Sequence, residues 1–224
     1  MNTAADSTKI ETARFNMIEQ QIRTWDVLDP TVLQLLHDVP REHFVPATYQ
    51  GLAFADLEIP IGHGQSMLSP KLEGRMLQAL SIQKTDHVLH VGTGTGYLTA
   101  LIAKLAKTVV SVEIEPALSA LAAQHLQQQG IENVSLVVGD AAQGWAASAP
   151  YDVIVFGASS PVEPAQVRRQ LTIGGRMLII LGTAPVMCAT LIQRISEHGF
   201  KEDVLFETCI APLVNATQAQ SFHF

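Results

Sequence analysis

A doubly wound, mostly parallel α/β sheet preceded by an N-terminal helical extension is the fold class that this sequence predicts. Three observations carry the expectation. Five apolar runs of strand length, His87–Val91, Thr108–Val112, Val134–Val138, Val153–Phe156 and Met177–Leu181, follow one another with helical segments between most of them, which is the rhythm of parallel strands joined by crossovers. Gly92, Gly94 and Gly96 cluster where the first of these strands gives way to a helix beginning near Tyr97. Apolar residues make up 47% of the chain and charged residues 16%, a balance that fills a core and excludes a mainly disordered chain. A length of 224 residues suits one large core with an extension rather than two full-sized domains.

The elements follow in order. Thr8 and Glu11 stand at capping-box spacing, and Ile10, Met17, Ile18 and Ile22 then recur every three or four residues or so, which predicts an amphipathic first helix. Asp29 caps a second helix, with Pro30 at its first position and Val32, Leu33, Leu35 and Leu36 in its body. Breaks at Pro46, Gly51, Pro60 and Gly62 give Arg41 to Gln65 irregular structure or short strands. Ser69-Pro70 opens a third helix with Leu72, Met76, Leu77 and Leu80 on its apolar stripe. Beyond the five strands, a helix near Ala189 to His198 and extended segments around Val204 to Leu213 complete the sheet, antiparallel strands among them. Right-handed crossovers place the ligand beyond the strand C-terminal ends, with residues 1 to about 80 over or beside that edge.

Composition narrows the function. Fourteen Lys plus Arg against twenty-one Asp plus Glu give a net charge of -7, so no basic field exists to hold a phosphate backbone and nucleic acid is not an expected partner. Met1 to Lys9 is polar, without the apolar core of a secretory signal, and no run approaches bilayer length, so a cytoplasmic address with no membrane partner is expected. Cys188 and Cys209 have no metal-site spacing and read as reduced, buried small residues; no metal is expected.

The stretch Val88-Leu-His-Val-Gly-Thr-Gly-Thr-Gly-Tyr97 carries the chemistry. Its glycines let the backbone turn sharply and approach a ligand. A dinucleotide site prefers G-x-G-x-x-G, whereas here Tyr97 occupies the place of the third glycine, so the G-x-G-x-G form favours S-adenosylmethionine over NAD. Glu113 ends the next strand about twenty residues on, where an acid accepts from ribose hydroxyls. Asp140, ending the third strand, can accept from the adenine amino group. Alone, each acid also reads as a strand-end charge or a turn residue; three successive strands delivering loop, acid and acid to one edge point to a cofactor. Asp152 starts its strand and reads as structural.

Three further segments, Met17-Ile-Glu-Gln-Gln-Ile-Arg23, Val39-Pro-Arg-Glu-His-Phe-Val-Pro46 and Ile59-Pro-Ile-Gly-His-Gly-Gln65, together with Gly174-Gly175-Arg176 and Ala211-Pro-Leu213, resemble the protein-L-isoaspartate O-methyltransferase family, from about Phe15 to Leu213. The resemblance implies a methyltransferase-type Rossmann-like sheet in residues 81–224 and an extension in residues 1–80 that contributes to the acceptor site, in one compact unit. It also implies methylation of the α-carboxylate of L-isoaspartyl residues in damaged proteins, starting their repair. The cofactor pattern is carried by Gly92, Thr93, Gly94, Gly96, Glu113, Ile114, Asp140 and Ala141. Two positions depart from the family: Leu68 stands where it places a serine associated with substrate and catalysis, and His90 where its first strand carries Asp or Glu.

A carboxylate acceptor is already ionised at neutral pH, so attack on a sulfonium methyl needs positioning rather than a general base. Ser66 and Ser69, flanking Leu68, are the candidates to supply the missing hydroxyl, with an N-cap ahead of Pro70 the competing role of Ser69. His63 reads as a loop-packing residue without a catalytic role, and Trp25 and Trp145 as partly buried aromatics. Leu68 and His90 leave two alternatives beside the isoaspartyl reading: a methyltransferase for a different carboxylate, and a cofactor-binding homologue with little turnover.

Overall fold

The computed structural model describes residues 3–218, with side chains from Thr8 onward, in two compact units, one ending at Gln78 and the other beginning at Ala79.

In the first unit, α1 (Thr3–Asn16) runs into a π-helical turn (Met17–Ile22) and a 3-10 turn (Arg23–Trp25). The helix therefore starts before Thr8, which is not its cap: the Thr8 carbonyl accepts from Thr12 Oγ1 at 2.8 Å inside the helix. Ala4 and Ala5 favour helix strongly enough to extend it past the capping-box pattern. The inward face also begins later than the periodicity predicts, because Ile10 is exposed whereas Met17, Ile18 and Ile22 are buried. Helix α2 (Pro30–Asp38) matches its signals, with Asp29 Oδ1 accepting from the Thr31 N–H at 2.7 Å and Pro30 at the first helical position. Strands β1 (Ile59–Gly62) and β2 (Gln65–Met67) pair antiparallel. Their connection carries Gly62, His63 and Gly64 at φ 88, 53 and 71°, a left-handed run in which only the histidine bears the steric cost of a Cβ. His63 is exposed at this tip.

Helix α3 (Pro70–Leu80) approaches closely at Gly74, where an added Cβ would meet Ile22 Cγ2 at 3.2 Å. Arg41, fully buried, ties this unit together: its Nε donates to the Ala53 carbonyl at 3.0 Å, one Nη pairs with Glu73, and the other donates to the Leu68 carbonyl at 2.6 Å. Burial pushes the Glu73 carboxyl up to about 7 against the pull of Arg41. Trp25 is 46% exposed, more open than expected, with Lys71 Nζ 4.1 Å from its ring centre.

The second unit is a seven-stranded sheet of order β5-β4-β3-β6-β7-β8-β9. Its strands are β3 (His87–Val91), β4 (Thr108–Glu113), β5 (Val134–Val138), β6 (Tyr151–Ser160), β7 (Leu171–Thr183), β8 (Val186–Arg194) and β9 (Phe200–Thr208). The first five run parallel and the last two antiparallel. Helices α4 (Tyr97–Leu105) and α5 (Pro116–Gln128) make the first two crossovers. The next two carry only the 3-10 turns Ala146–Ser148 and Val167–Gln170, shorter than the helical segments expected. Leu89, Val91, Val110, Val112, Ile154, Phe156, Met177 and Ile179 form one buried apolar cluster on alternate positions of the central strands.

The helix expected near Ala189 to His198 is instead β8. Leu181 pairs with Cys188 and Ile179 with Thr190 in a hairpin with β7, which satisfies the backbone of β7 along its open side; that pairing outweighs a local helical spacing. Cys188 is half-buried on β8 and Cys209 exposed just after β9, both free, so neither is the buried residue expected. Asp152 is structural, its carboxylate accepting from the His87 N–H at 2.8 Å and from Thr172 Oγ1 at 3.1 Å. Gly174-Gly175-Arg176 also has a structural use, since Arg176 Nη2 donates to the Ser81 carbonyl and to Asp86 Oδ2, each at 2.8 Å. Among the described residues no helix is long and apolar enough to cross a membrane.

Candidate active site

The parallel strands deliver their C-terminal ends to one rim, and the sequence-predicted cofactor residues of β3, β4 and β5 stand there. Gly92, Gly94 and Gly96 have φ of 88, 57 and 93°, a region closed to most side chains. Gly96 is further restricted, because a Cβ would lie 3.2 Å from that of Ala122 on α5. The loop is held by Glu113, whose Oε2 accepts from the Gly94 N–H at 2.8 Å and whose Oε1 accepts from the Glu115 N–H at 3.0 Å. Glu113 therefore shapes the glycine loop directly, a contact that sequence spacing does not reveal. Each of its oxygens keeps a lone pair beyond these bonds.

Thr93 turns inward: it is buried, and its Oγ1 meets Ser111 Oγ at 2.7 Å. Ile114 is half-buried beside Glu113, and Ala141 belongs to the apolar cluster. Asp140 is exposed, its Oδ1 accepting from the Ala142 N–H and its Oδ2 from Asn215 Nδ2, both at 2.9 Å.

His90 lies sealed in the interior, 1% exposed. Its Nδ1 is 2.9 Å from Thr99 Oγ1 and 3.2 Å from Ser111 Oγ, and its Nε2 is buried with no hydrogen-bond partner among the described residues. Desolvation holds its pKa down at about 3, so the imidazole is neutral. The residue that departs from the family's acid thus anchors a hydroxyl cluster between β3, β4 and α4. Gly157, one residue past the segment of β6 that pairs with β3, has no room for a side chain without local adjustment: a Cβ there would sit 2.9 Å from the Gly92 carbonyl oxygen and 3.3 Å from His90 Nε2.

In the first unit, Ser66 is half-buried on β2, opposite Pro60. Leu68 is 7% exposed, its carbonyl held by Arg41. The Ser69 carbonyl accepts from the Leu72 and Glu73 N–H groups at 3.1 and 3.2 Å, which places Ser69 at the start of α3. Trp145, half-buried as expected, packs against the apolar cluster.

The sequence predicts extended chain as far as Leu213 but not that the residues beyond β9 return to the rim. The Ser159 N–H donates to the Ala211 carbonyl at 3.0 Å and the Leu213 N–H to the Ser159 carbonyl at 2.8 Å, bringing residues after Thr208 to the rim. Ala211-Pro-Leu213 was the one local signal; nothing in the neighbouring sequence points to Asn215.

A family model described as Protein-L-isoaspartate(D-aspartate) O-methyltransferase (PCMT) matches residues 12–218. A Protein-L-isoaspartate O-methyltransferase from Magnetococcus marinus is 39% identical over 91% of this chain and 89% of its own length. One from Koribacter versatilis is 39% identical over 96% of each. A solved Plasmodium falciparum structure in complex with S-adenosyl-L-homocysteine shares the fold, with a TM-score of 0.77 and 19% identity over 91% of this chain and 97% of that one. The chain belongs to the protein-L-isoaspartate O-methyltransferase family.

Proposed function

We propose that this protein is an S-adenosylmethionine-dependent carboxyl methyltransferase acting on the α-carboxylate of L-isoaspartyl residues in damaged proteins. The observation that carries the reading is the convergence of Gly94, Glu113 and Asp140 at one sheet rim, with Glu113 bonded to the Gly94 N–H at 2.8 Å. The residues suit an adenosyl ligand: among the described residues the Gly92 Cβ position has only Leu213 Cδ2 within 4 Å, at 3.9 Å, and both acids retain acceptor capacity for hydroxyl and amino donors. Gly92, Gly94 and Gly96 admit the ligand close to the backbone, Glu113 holds the ribose, and Asp140 meets the adenine amino group, with Ile114 and Ala141 alongside the base.

When bound, the cofactor would supply an electrophilic methyl group on its sulfonium sulfur: the acceptor carboxylate oxygen would bond to the methyl carbon as the carbon–sulfur bond breaks, leaving S-adenosyl-L-homocysteine and a methyl ester. No proton moves, so the protein's task is to orient the acceptor and exclude water. Ser66 and Ser69 are the hydroxyls proposed to orient it, within the extension of residues 1–80. Incubating the protein with an isoaspartyl peptide and methyl-labelled cofactor should give a base-labile ester. Bound cofactor with no ester at high enzyme concentration would defeat the proposal.

The buried Leu68 supports a second reading, in which the same cofactor serves a different carboxylate. Methylated products from a cell extract distinguish the two, and a retained preference for isoaspartyl peptide removes the second.

A further inference from the structure

The tail after β9 reaches the rim independently of Asn215. Ser159 Oγ donates to the Ile210 carbonyl at 3.0 Å, Ser159 also bonds Ala211 and Leu213 through its backbone, and Gln143 Nε2 donates to Thr217 Oγ1 at 2.5 Å. Between these anchors the tail passes Gly92, through Leu213, and Asp140, through Asn215. Asn215 adopts φ 61°, a left-handed conformation that asparagine tolerates better than most residues. It aims its carboxamide at the carboxylate expected to meet adenine.

A carboxylate only accepts, so the amide must turn its NH2 toward Asp140. One N–H then goes to Asp140 Oδ2. The second N–H and the amide oxygen carry no hydrogen bond to the described residues. The Ala142 N–H, the nearby backbone donor, is already taken by Asp140 Oδ1.

We propose that Asn215 is a specificity-determining residue for the cofactor's base, forming with Asp140 an acceptor and donor pair that reads adenine. Adenine presents an amino donor next to a ring-nitrogen acceptor. Asp140 receives the first, and the remaining N–H of Asn215 donates to the second. A 6-oxo purine presents the reverse order, setting a carbonyl oxygen against the carboxylate and a ring N–H against the amide N–H. The inference rests on the reading that Asp140 meets the adenine amino group.

The test is calorimetric titration of the purified protein with S-adenosyl-L-homocysteine and with S-inosyl-L-homocysteine, its 6-oxo counterpart. The variants are Asn215→Gly, which keeps the positive φ, and Asn215→Asp, which keeps the shape but loses both donors. The parent should prefer the adenosyl ligand by about a hundredfold or more, and each variant should lose about tenfold of that preference, as expected for one base-edge hydrogen bond. An unchanged ratio in both variants overturns the inference, as does tighter binding of both ligands to Asn215→Gly, which would make the tail contact a shield. Asp140→Ala separates the two levels. If it abolishes discrimination while the Asn215 variants do not, Asn215 alone is excluded. If it too leaves the ratio unchanged, the base lies elsewhere and the reading of Asp140 falls with it.

Discussion

Acid should destabilise the sheet unit through His90 by an amount that can be worked out. Its pKa lies at about 3 in the folded chain against 6.5 for an ordinary histidine, because burial disfavours the charged ring. Below the ordinary value the unfolded chain takes up a proton that the folded one refuses, so stability falls with pH from that point until the folded value is reached. The cost is RT ln[(1 + 10^(6.5 − pH))/(1 + 10^(3 − pH))], using the unfolded value of 6.5 and the folded value of about 3. It amounts to about 1.4 kcal/mol at about pH 5.5, is negligible at about pH 7.5, and approaches about 5 kcal/mol in strong acid. Urea unfolding followed by Trp145 fluorescence in a Trp25→Phe background reports on the sheet unit at both pH values. His90→Asn should remove about 1.4 kcal/mol of the drop between them, leaving the contribution of the other titrating groups. Equal pH dependence in parent and variant would show that the ring is either hydrated or charged in the folded chain.

Glu113→Gln should weaken S-adenosyl-L-homocysteine binding by about tenfold or more, since it loses charge toward both the loop N–H groups and the ribose; a loss under about twofold by calorimetry would remove Glu113 from the site. Leu68→Ser should lower KM for an isoaspartyl peptide by about fivefold at unchanged cofactor affinity, the scale of one gained hydrogen bond, and a cofactor affinity that moves instead would assign Leu68 a different role. Arg41→Met should destabilise the first unit by about 3 to 5 kcal/mol by stranding Glu73, whereas Arg41→Met with Glu73→Leu should recover most of it in denaturant unfolding. Gly157→Ala should cost about 1 to 3 kcal/mol through overlap with the Gly92 carbonyl, measurable as a lower unfolding midpoint.

The strands from His87 to Leu181 were legible because buried parallel strands are continuous apolar runs, and that pattern survives without tertiary knowledge. The Asp29-Pro30 and Ser69-Pro70 helix starts were legible for a related reason, since capping is decided within four residues. Strand β8 was not, because Val186–Arg194 takes its conformation from β7 across a hairpin, and its own spacing of Ala189 and Ile192 suits a helix equally well. The site followed the same division. Gly92, Glu113 and Asp140 could be placed by counting along strands. The clamp of Glu113 on Gly94 and the arrival of Asn215 at Asp140 depend on contacts across 19 and 75 residues, which no local pattern encodes. His90 was visible as a departure, but its hydroxyl partners came from α4 and β4.

The strand order β5-β4-β3-β6-β7-β8-β9 means that the first strand of the sheet to be synthesised is an interior one. During translation β3, β4 and β5 can assemble in succession on one side while the residues that form β6 are still within the ribosome. The opposite flank of β3 must wait for Tyr151 and beyond, and Arg176 reaches Ser81 and Asp86 later still. A nascent chain therefore exposes an unpaired apolar strand for as long as its central partner is missing. This is the interval in which the growing polypeptide most needs protection from aggregation.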